Sequence, residues 1–163
     1  MKNSNSVFSE DNFFICGLYA LLGRDFIDNF FTVVDFDYQD KNVLFIPLPE
    51  HKDSVAFVSN DFAFYKAERC GIHYALDKKS SIRDILSFFL FKRNSGNYQA
   101  RQKLSPREKE VLELISEGAS FQEMVEKLGI NSKTLYTHRR NLVMKLGCDN
   151  RVSLLNLVLQ RQV

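Results

Sequence analysis

Residues 104–147, LSPREKEVLELISEGASFQEMVEKLGINSKTLYTHRRNLVMKLG, constrain the fold more than any other stretch, because helix start and stop signals recur in them at short intervals. Ser105 is an N-cap, Pro106 suits the first helical position where its missing N–H costs nothing, and Glu108 three residues on completes a capping box. Val111, Leu112 and Ile115 then recur at helical spacing until Gly118 stops the run. Ser120 and Glu123 form a second box ahead of Met124 and Leu128, and Gly129 closes that helix. Glycine adopts a left-handed backbone at no steric cost, so the chain can reverse at Gly129 into Ile130 and a third helix capped by Asn131 or Ser132. The apolar stripe of this third helix is Leu135, Leu142 and Leu146, with His138 on the same face, which leaves Lys133, Tyr136, Thr137 and Arg140 facing outward.

Two helices joined by a tight glycine turn, the second with a polar outer face, are the layout of a helix-turn-helix that reads the major groove. Arginine can bond both acceptors of a guanine edge and threonine can touch a thymine methyl. Arg139 and Lys145 lie further round, where phosphates are the expected partners. A charged face opposite an apolar stripe often marks nothing more than a solvated helix. The charge distribution argues for more. Residues 1–100 hold 11 Lys and Arg against 13 Asp and Glu, whereas residues 101–163 hold 11 against 7, so a basic C-terminal part is concealed within a net charge of +2.

With these residues in place, the segment from Leu104 to about Val158 resembles the C-terminal DNA-binding domain of the LuxR/FixJ (NarL-type) bacterial transcription regulators. The landmarks are LSPREKEVL at the first helix, Glu117-Gly118, and LGINSKTLYTHRRNLVMKLG across the helix-turn-helix. The resemblance implies base contacts at Tyr136, Thr137 and Arg140, and backbone contacts at Lys133, Thr134 and Arg139. It further implies a fourth helix, NRVSLLNLVLQR, with a dimer contact at Val152, Leu155 and Val158, although packing within the subunit would use the same leucines. Three positions depart from the family pattern: Tyr136 replaces the more usual lysine or arginine, Val125 the small residue at the closest helix approach, and Phe121 a polar phosphate-contacting residue. Specificity and affinity should differ there.

At 163 residues and 45% hydrophobic content there is room for two packed domains. Residues 1–91 read as an α/β regulatory or dimerisation domain, 92–103 (KRNSGNYQARQK) as a flexible polar linker, and 104–163 as an all-α domain of four helices. Cys16, Cys70 and Cys148 are odd in number and lack ligand spacing, as expected of thiols in a reducing cytosol. The apolar run Phe13–Leu22 follows Glu10 and Asp11 in place of a basic cluster and is too short to span a bilayer, so a cytoplasmic protein without a membrane segment is expected.

In the first hundred residues, Phe13–Leu22 and Ser80–Phe91 have helical periodicity, and Phe30–Phe36, Val43–Ile46 and Val55–Val58 are strand-like. That mixture implies a sheet covered by helices. FSEDNFFICGLYALLG resembles the first strand and helix of a response-regulator receiver domain, and AERCGIHYALDKKSSIRDILSFFL resembles its last strand and helix. The interval from Leu22 to Asp35 is too short for a second strand and helix, so a truncated receiver is expected. Receivers bring a phosphoryl group to an aspartate, and the crowded anions need a hard cation and an ammonium beside them. The resemblance places Glu10 at one metal acid, Asp35 at the acceptor, Ser59 at the hydroxyl and Lys78 at the lysine, with Ser9 where the second metal acid should be. Loss of that ligand points to a pocket without phosphoryl chemistry; the plainer alternative makes Asp35, Asp37 and Asp40 a solvated acidic turn, with Lys78 and Lys79 flanking a loop. The domain would then act by dimerisation or partner docking through its last helix and strand, and FFLF at Phe88–Phe91 fits either a core or an interface.

An enzyme is not indicated: His51, His73 and His138 have no ligand spacing, and phosphate loops and nucleophile elbows are absent. No cofactor is expected. The sequence therefore reads as a dimeric regulator with a recognition helix at about 132–146 and double-stranded DNA as partner; RNA polymerase is a further candidate partner. Two other classes remain: a heterodimerising subunit with weak DNA binding of its own, and a sigma-factor-like promoter reader, against which His138 and the fourth helix argue.

Overall fold

The computed structural model describes residues 6–37, 48–148, 150, 152, 154 and 155. The strand expected over Val43–Ile46, together with Asp40 and Val158, lies outside the described residues. The chain divides into two compact units with the boundary between Ala100 and Arg101.

The first unit is an α/β fold in the order β1 (Val7–Phe8), α1 (Asn12–Leu22), α2 (Arg24–Phe30), β2 (Phe31–Asp35), β3 (Asp53–Val58), α3 (Asp61–Arg69), β4 (Tyr74–Asp77) and α4 (Ile82–Phe91). The strands form one parallel sheet in the sequential order β1-β2-β3-β4. Removing the second strand and its helix from the doubly wound order 2-1-3-4-5 leaves this succession, so the fold is a truncated receiver-like sheet. Side chains alternate across it. Val33, Val55, Phe57 and Leu76 pack with α1, α2 and the Phe88–Phe89 pair of α4, while Val34, Ala56, Val58 and Ala75 face Ala63 and Ala67 of α3. FFLF thus divides between uses: Phe88 and Phe89 are core, while Leu90 and Phe91 are exposed.

Local signals set the helix ends. Asp11 accepts from the N–H groups of Phe13 and Phe14, Asn60 from that of Ala63, and Ser81 from that of Asp84. Gly23, at φ 85°, ends α1 and starts α2 in one residue, a turn that a side chain would strain. Periodicity did not announce α2 or α3. Each is under ten residues and is held by tertiary burial, Ile27 being fully enclosed in α2 and Ala67 in α3.

The expected linker at 92–103 is shorter than its composition suggested. Lys92 ends α4 in a left-handed conformation, φ 55°, held by an ion pair with Asp53 and by its ammonium lying over the rings of Phe31, Tyr74 and Phe88 at 4.5, 5.1 and 5.2 Å. A short 3-10 turn follows at Asn94–Gly96. Tyr98 is then buried, its N–H donating to the Ala75 carbonyl at 2.9 Å and its hydroxyl to Asp61 Oδ1 at 2.7 Å. A polar stretch can pack when one aromatic anchor carries it.

The second unit is helical: α5 (Pro106–Ser116), α6 (Phe121–Leu128) and α7 (Ser132–Lys145), with residues 152, 154 and 155 helical beyond them. Val111, Leu112, Ile115, Met124, Leu135, Leu142 and Leu154 are buried. Among the described residues no helix is long and apolar enough to cross a membrane.

Replacing Tyr98 with phenylalanine should lower the unfolding free energy of the N-terminal unit by about 1–3 kcal/mol, since a hydrogen bond to a buried carboxylate is lost. Urea titration followed by circular dichroism measures it; a neutral result would return residues 92–100 to the linker.

Candidate nucleic-acid interface and the N-terminal carboxylate cluster

Both capping boxes form. Ser105 Oγ accepts from the Glu108 N–H at 3.2 Å while the Ser105 N–H donates to Glu108 Oε2 at 2.8 Å, and Ser120 and Glu123 repeat the pattern at 3.2 and 2.7 Å. The Ser120 N–H and hydroxyl hold the Glu123 carboxyl below the usual carboxylate range. Gly129, at φ 61°, makes the left-handed turn, and Asn131 Oδ1 caps α7 by accepting from the Thr134 N–H at 2.8 Å.

This geometry fixes which side of α7 faces out. Leu135 and Leu142 are fully buried and Leu146 nearly so, while Lys133, Tyr136, Thr137 and Arg140 are exposed on the opposite face. Tyr136 keeps 49% of its surface. Thr137 donates its hydroxyl to the Lys133 carbonyl at 3.0 Å, a bond internal to the helix. Thr134 is half-buried beside them.

Two residues expected at phosphates are engaged within the protein. Arg139 is half-buried, its guanidinium 5.7 Å from the centre of the Phe121 ring, so Phe121, where a polar residue was expected, gives that arginine a platform. Lys145 donates to Glu108 Oε2 at 2.7 Å and to the Lys103 carbonyl at 3.1 Å. Burial alone would raise the pKa of Glu108, but the Lys145 ammonium and the Ser105 N–H and hydroxyl hold it below the usual range. Sequence reasoning missed this pair because the partners are 37 residues apart. Beyond α7, Leu154 is buried, Val152 is 61% exposed and Leu155 is half-buried.

With α5, α6 and α7 placed, the match to known proteins is specific: residues 102–158 fit the bacterial regulatory proteins of the luxR family. They form a luxR-family domain. The chain is 39% identical over 83 residues to the transcriptional regulatory protein RcsB of Escherichia coli strain K12, a match covering 50% of this chain and 38% of RcsB. It is 43% identical over 60 residues to the transcriptional regulatory protein MctR of Rhizobium johnstonii, covering 37% of this chain and 28% of MctR. The chain thus spans under two-fifths of the length of these curated relatives. A solved complex of the two-component response regulator RcsB with DNA aligns over 96% of the chain and 97% of its own, at 17% identity and a TM-score of 0.49.

Away from the luxR-family domain, the C-terminal ends of the four strands converge on Asp35. Its carboxylate is fully buried. Oδ2 accepts from Ser9 Oγ and from Lys78 Nζ, both at 2.8 Å, and Oδ1 accepts from the Asp37 N–H at 3.2 Å. Asp37 lies 3.6 Å from Lys78 and accepts from the Ser59 N–H at 3.0 Å. Asp35 and Lys78 are thus brought together, Ser59 joins them through its backbone N–H on Asp37, and Glu10 is exposed on the turn after β1. The alternative of a solvated acidic turn is corrected for Asp35 and Asp37, which lie inside an ion-pair network, and Lys78 is its cation. The sequence reading placed Asp37 only in that acidic turn; its approach to Lys78 depends on the bend after β2 and is set by the tertiary structure. A magnesium ion needs near-octahedral oxygen ligands. Here an ammonium and a hydroxyl already share Oδ2, and no group of three acidic, histidine or cysteine side chains among the described residues could hold a metal ion. These residues do not fit a magnesium site.

A lowered folded pKa makes Glu108 a source of stability that is present above its unfolded pKa, about 4.3, and lost as pH falls through the depressed folded value. The luxR-family domain should therefore lose stability on acidification below about pH 4. Lys145→Met should cost about 1–3 kcal/mol at neutral pH and remove much of that acid dependence. Thermal melts from pH 7 to pH 3 compare the two; parallel curves would mean that the pair contributes nothing.

Proposed function

We propose that this chain is a sequence-specific DNA-binding transcription regulator that acts as a dimer and lays α7, about residues 132–146, in the major groove. The observation that carries the reading is the outer face of α7: Lys133, Tyr136, Thr137 and Arg140 are exposed on a helix whose opposite face is locked by Leu135 and Leu142 within a luxR-family domain. Tyr136, Thr137 and Arg140 contact base edges, Arg140 as the guanine reader. Lys133 and Thr134 hold the backbone beside the helix N-terminus, and Arg139 reaches phosphate from its Phe121 platform. Lys145 acts at one remove, by fixing the end of α7 against α5. Val152 and Leu155 supply a dimer contact at the fourth helix.

The N-terminal unit works in this reading without phosphorylation, by dimerisation or partner docking. Asp35 is a structural anion. Attack by its carboxylate on a phosphoryl donor would require it to leave the Ser9 hydroxyl and to become exposed.

Selection of bound sites from random duplexes tests the whole reading, with half-sites about one helical turn apart expected for a symmetric dimer. Arg140→Ala should weaken binding by roughly 1–3 kcal/mol and relax preference at one base; an unchanged preference would overturn the assigned register. Incubation with a small phosphoryl donor and magnesium should leave the intact mass unchanged, and a phosphate adduct mapped to Asp35 would overturn the structural role.

A further inference from the structure

The outer face of α7 is a patch of four exposed residues, with Lys133 and Arg140 at its ends and Tyr136 and Thr137 between them. Residues three and four apart on a helix are neighbours, so Thr137 sits between Lys133, one turn back, and Arg140, one turn on. A threonine can meet a base edge in two ways: its hydroxyl can exchange a hydrogen bond, or its methyl can pack against the C5-methyl of thymine. The fold chooses between them. Thr137 donates its hydroxyl to the Lys133 carbonyl at 3.0 Å, which turns the oxygen back along the helix. A hydroxyl carries one proton, so that bond leaves no donor for a base. The side chain remains exposed, and its other heavy-atom branch is the methyl group. Beside it Tyr136, 49% exposed, adds an aromatic surface to the middle of the patch.

We infer that Thr137 reads the C5-methyl of a thymine through its own methyl group, with the Tyr136 ring flanking the contact, and that this thymine lies one base step from the guanine bound by Arg140. The inference deepens the reading of α7 as the recognition helix and rests on that reading. It names the chemical group on which selection depends, a methyl that cytosine and uracil lack. The spacing fits. Three residues advance about 4.5 Å along a helix, and successive base pairs are about 3.4 Å apart, so residues 137 and 140 match neighbouring pairs. The arrangement of the patch fits as well. Cations at its two ends suit guanine edges and phosphates, whereas its middle offers a methyl and a ring, the surfaces that gain when a thymine methyl leaves water. Burial of one such carbon is worth about fourfold in affinity.

Fluorescence anisotropy with the full chain and its selected duplex tests this, each thymine of a half-site being replaced in turn by deoxyuridine, which pairs identically but lacks the methyl. Wild-type binding should weaken about fourfold at one position, beside the guanine whose preference Arg140→Ala relaxes. Two variants separate methyl from hydroxyl. Thr137→Val keeps the methyl and should still discriminate thymine from uracil, whereas Thr137→Ser keeps the hydroxyl and should bind both duplexes alike; circular dichroism should show both variants folded. Equal wild-type binding to every uracil duplex overturns the inference, and so does discrimination that survives in Thr137→Ser and vanishes in Thr137→Val. Either result, with a selected site and its dependence on Arg140 intact, leaves α7 as the recognition helix. A chain that selects no site overturns both.

Discussion

A carboxylate taken out of water is tolerated only if a cation and hydrogen-bond donors replace its hydration. In the N-terminal unit that requirement organises the sheet. Among the described strands β1 and β4 are the outer ones, and Asp35 at the end of the inner strand β2 binds the residues that follow each of them: Ser9 beyond β1 and Lys78 beyond β4. β1 is two residues long, too short for its ladder alone to hold it. The Ser9 hydroxyl ties that edge to the middle of the sheet, and Lys78 ties the other. The positions that resemble a phosphoryl pocket thus hold a filled ion-pair network, and a serine in place of an acid is the substitution that allows it, because a hydroxyl can donate where a second carboxylate would repel.

The C-terminal unit meets the same requirement with Glu108 and Lys145, which join the first turn of α5 to the last turn of α7. The consequence is a division among the basic residues of α7. Lys145 is engaged by Glu108 and Arg139 lies over Phe121, while Lys133 and Arg140 are left on the outer face. Orientation of that face therefore depends on groups that do not touch it. The leucines set the roll of α7, and the Lys145 pair fixes its far end, so the exposed face is held by its opposite side.

Much of this was legible in the chain because the determinants are local. Ser105 with Glu108, Ser120 with Glu123, Gly129 and Asn131 act within four residues, so sequence alone determined three helices, their turn and the outward set Lys133, Tyr136, Thr137 and Arg140. Short β-branched and aromatic runs announced the inner strands, while the face that each of their side chains takes came only from the tertiary structure. Tertiary structure alone decided what depends on residues far apart: Ser9 and Lys78 reach Asp35 across 26 and 43 positions, and Lys145 reaches Glu108 across 37. It also decided the short helices α2 and α3, which burial stabilises more than propensity does, and the docking of Tyr98, which brought half of an apparent linker into the first unit. The physical reason is one of range. Caps and periodicity are written in neighbouring residues, whereas a buried charge chooses its partner only after the chain has closed around it.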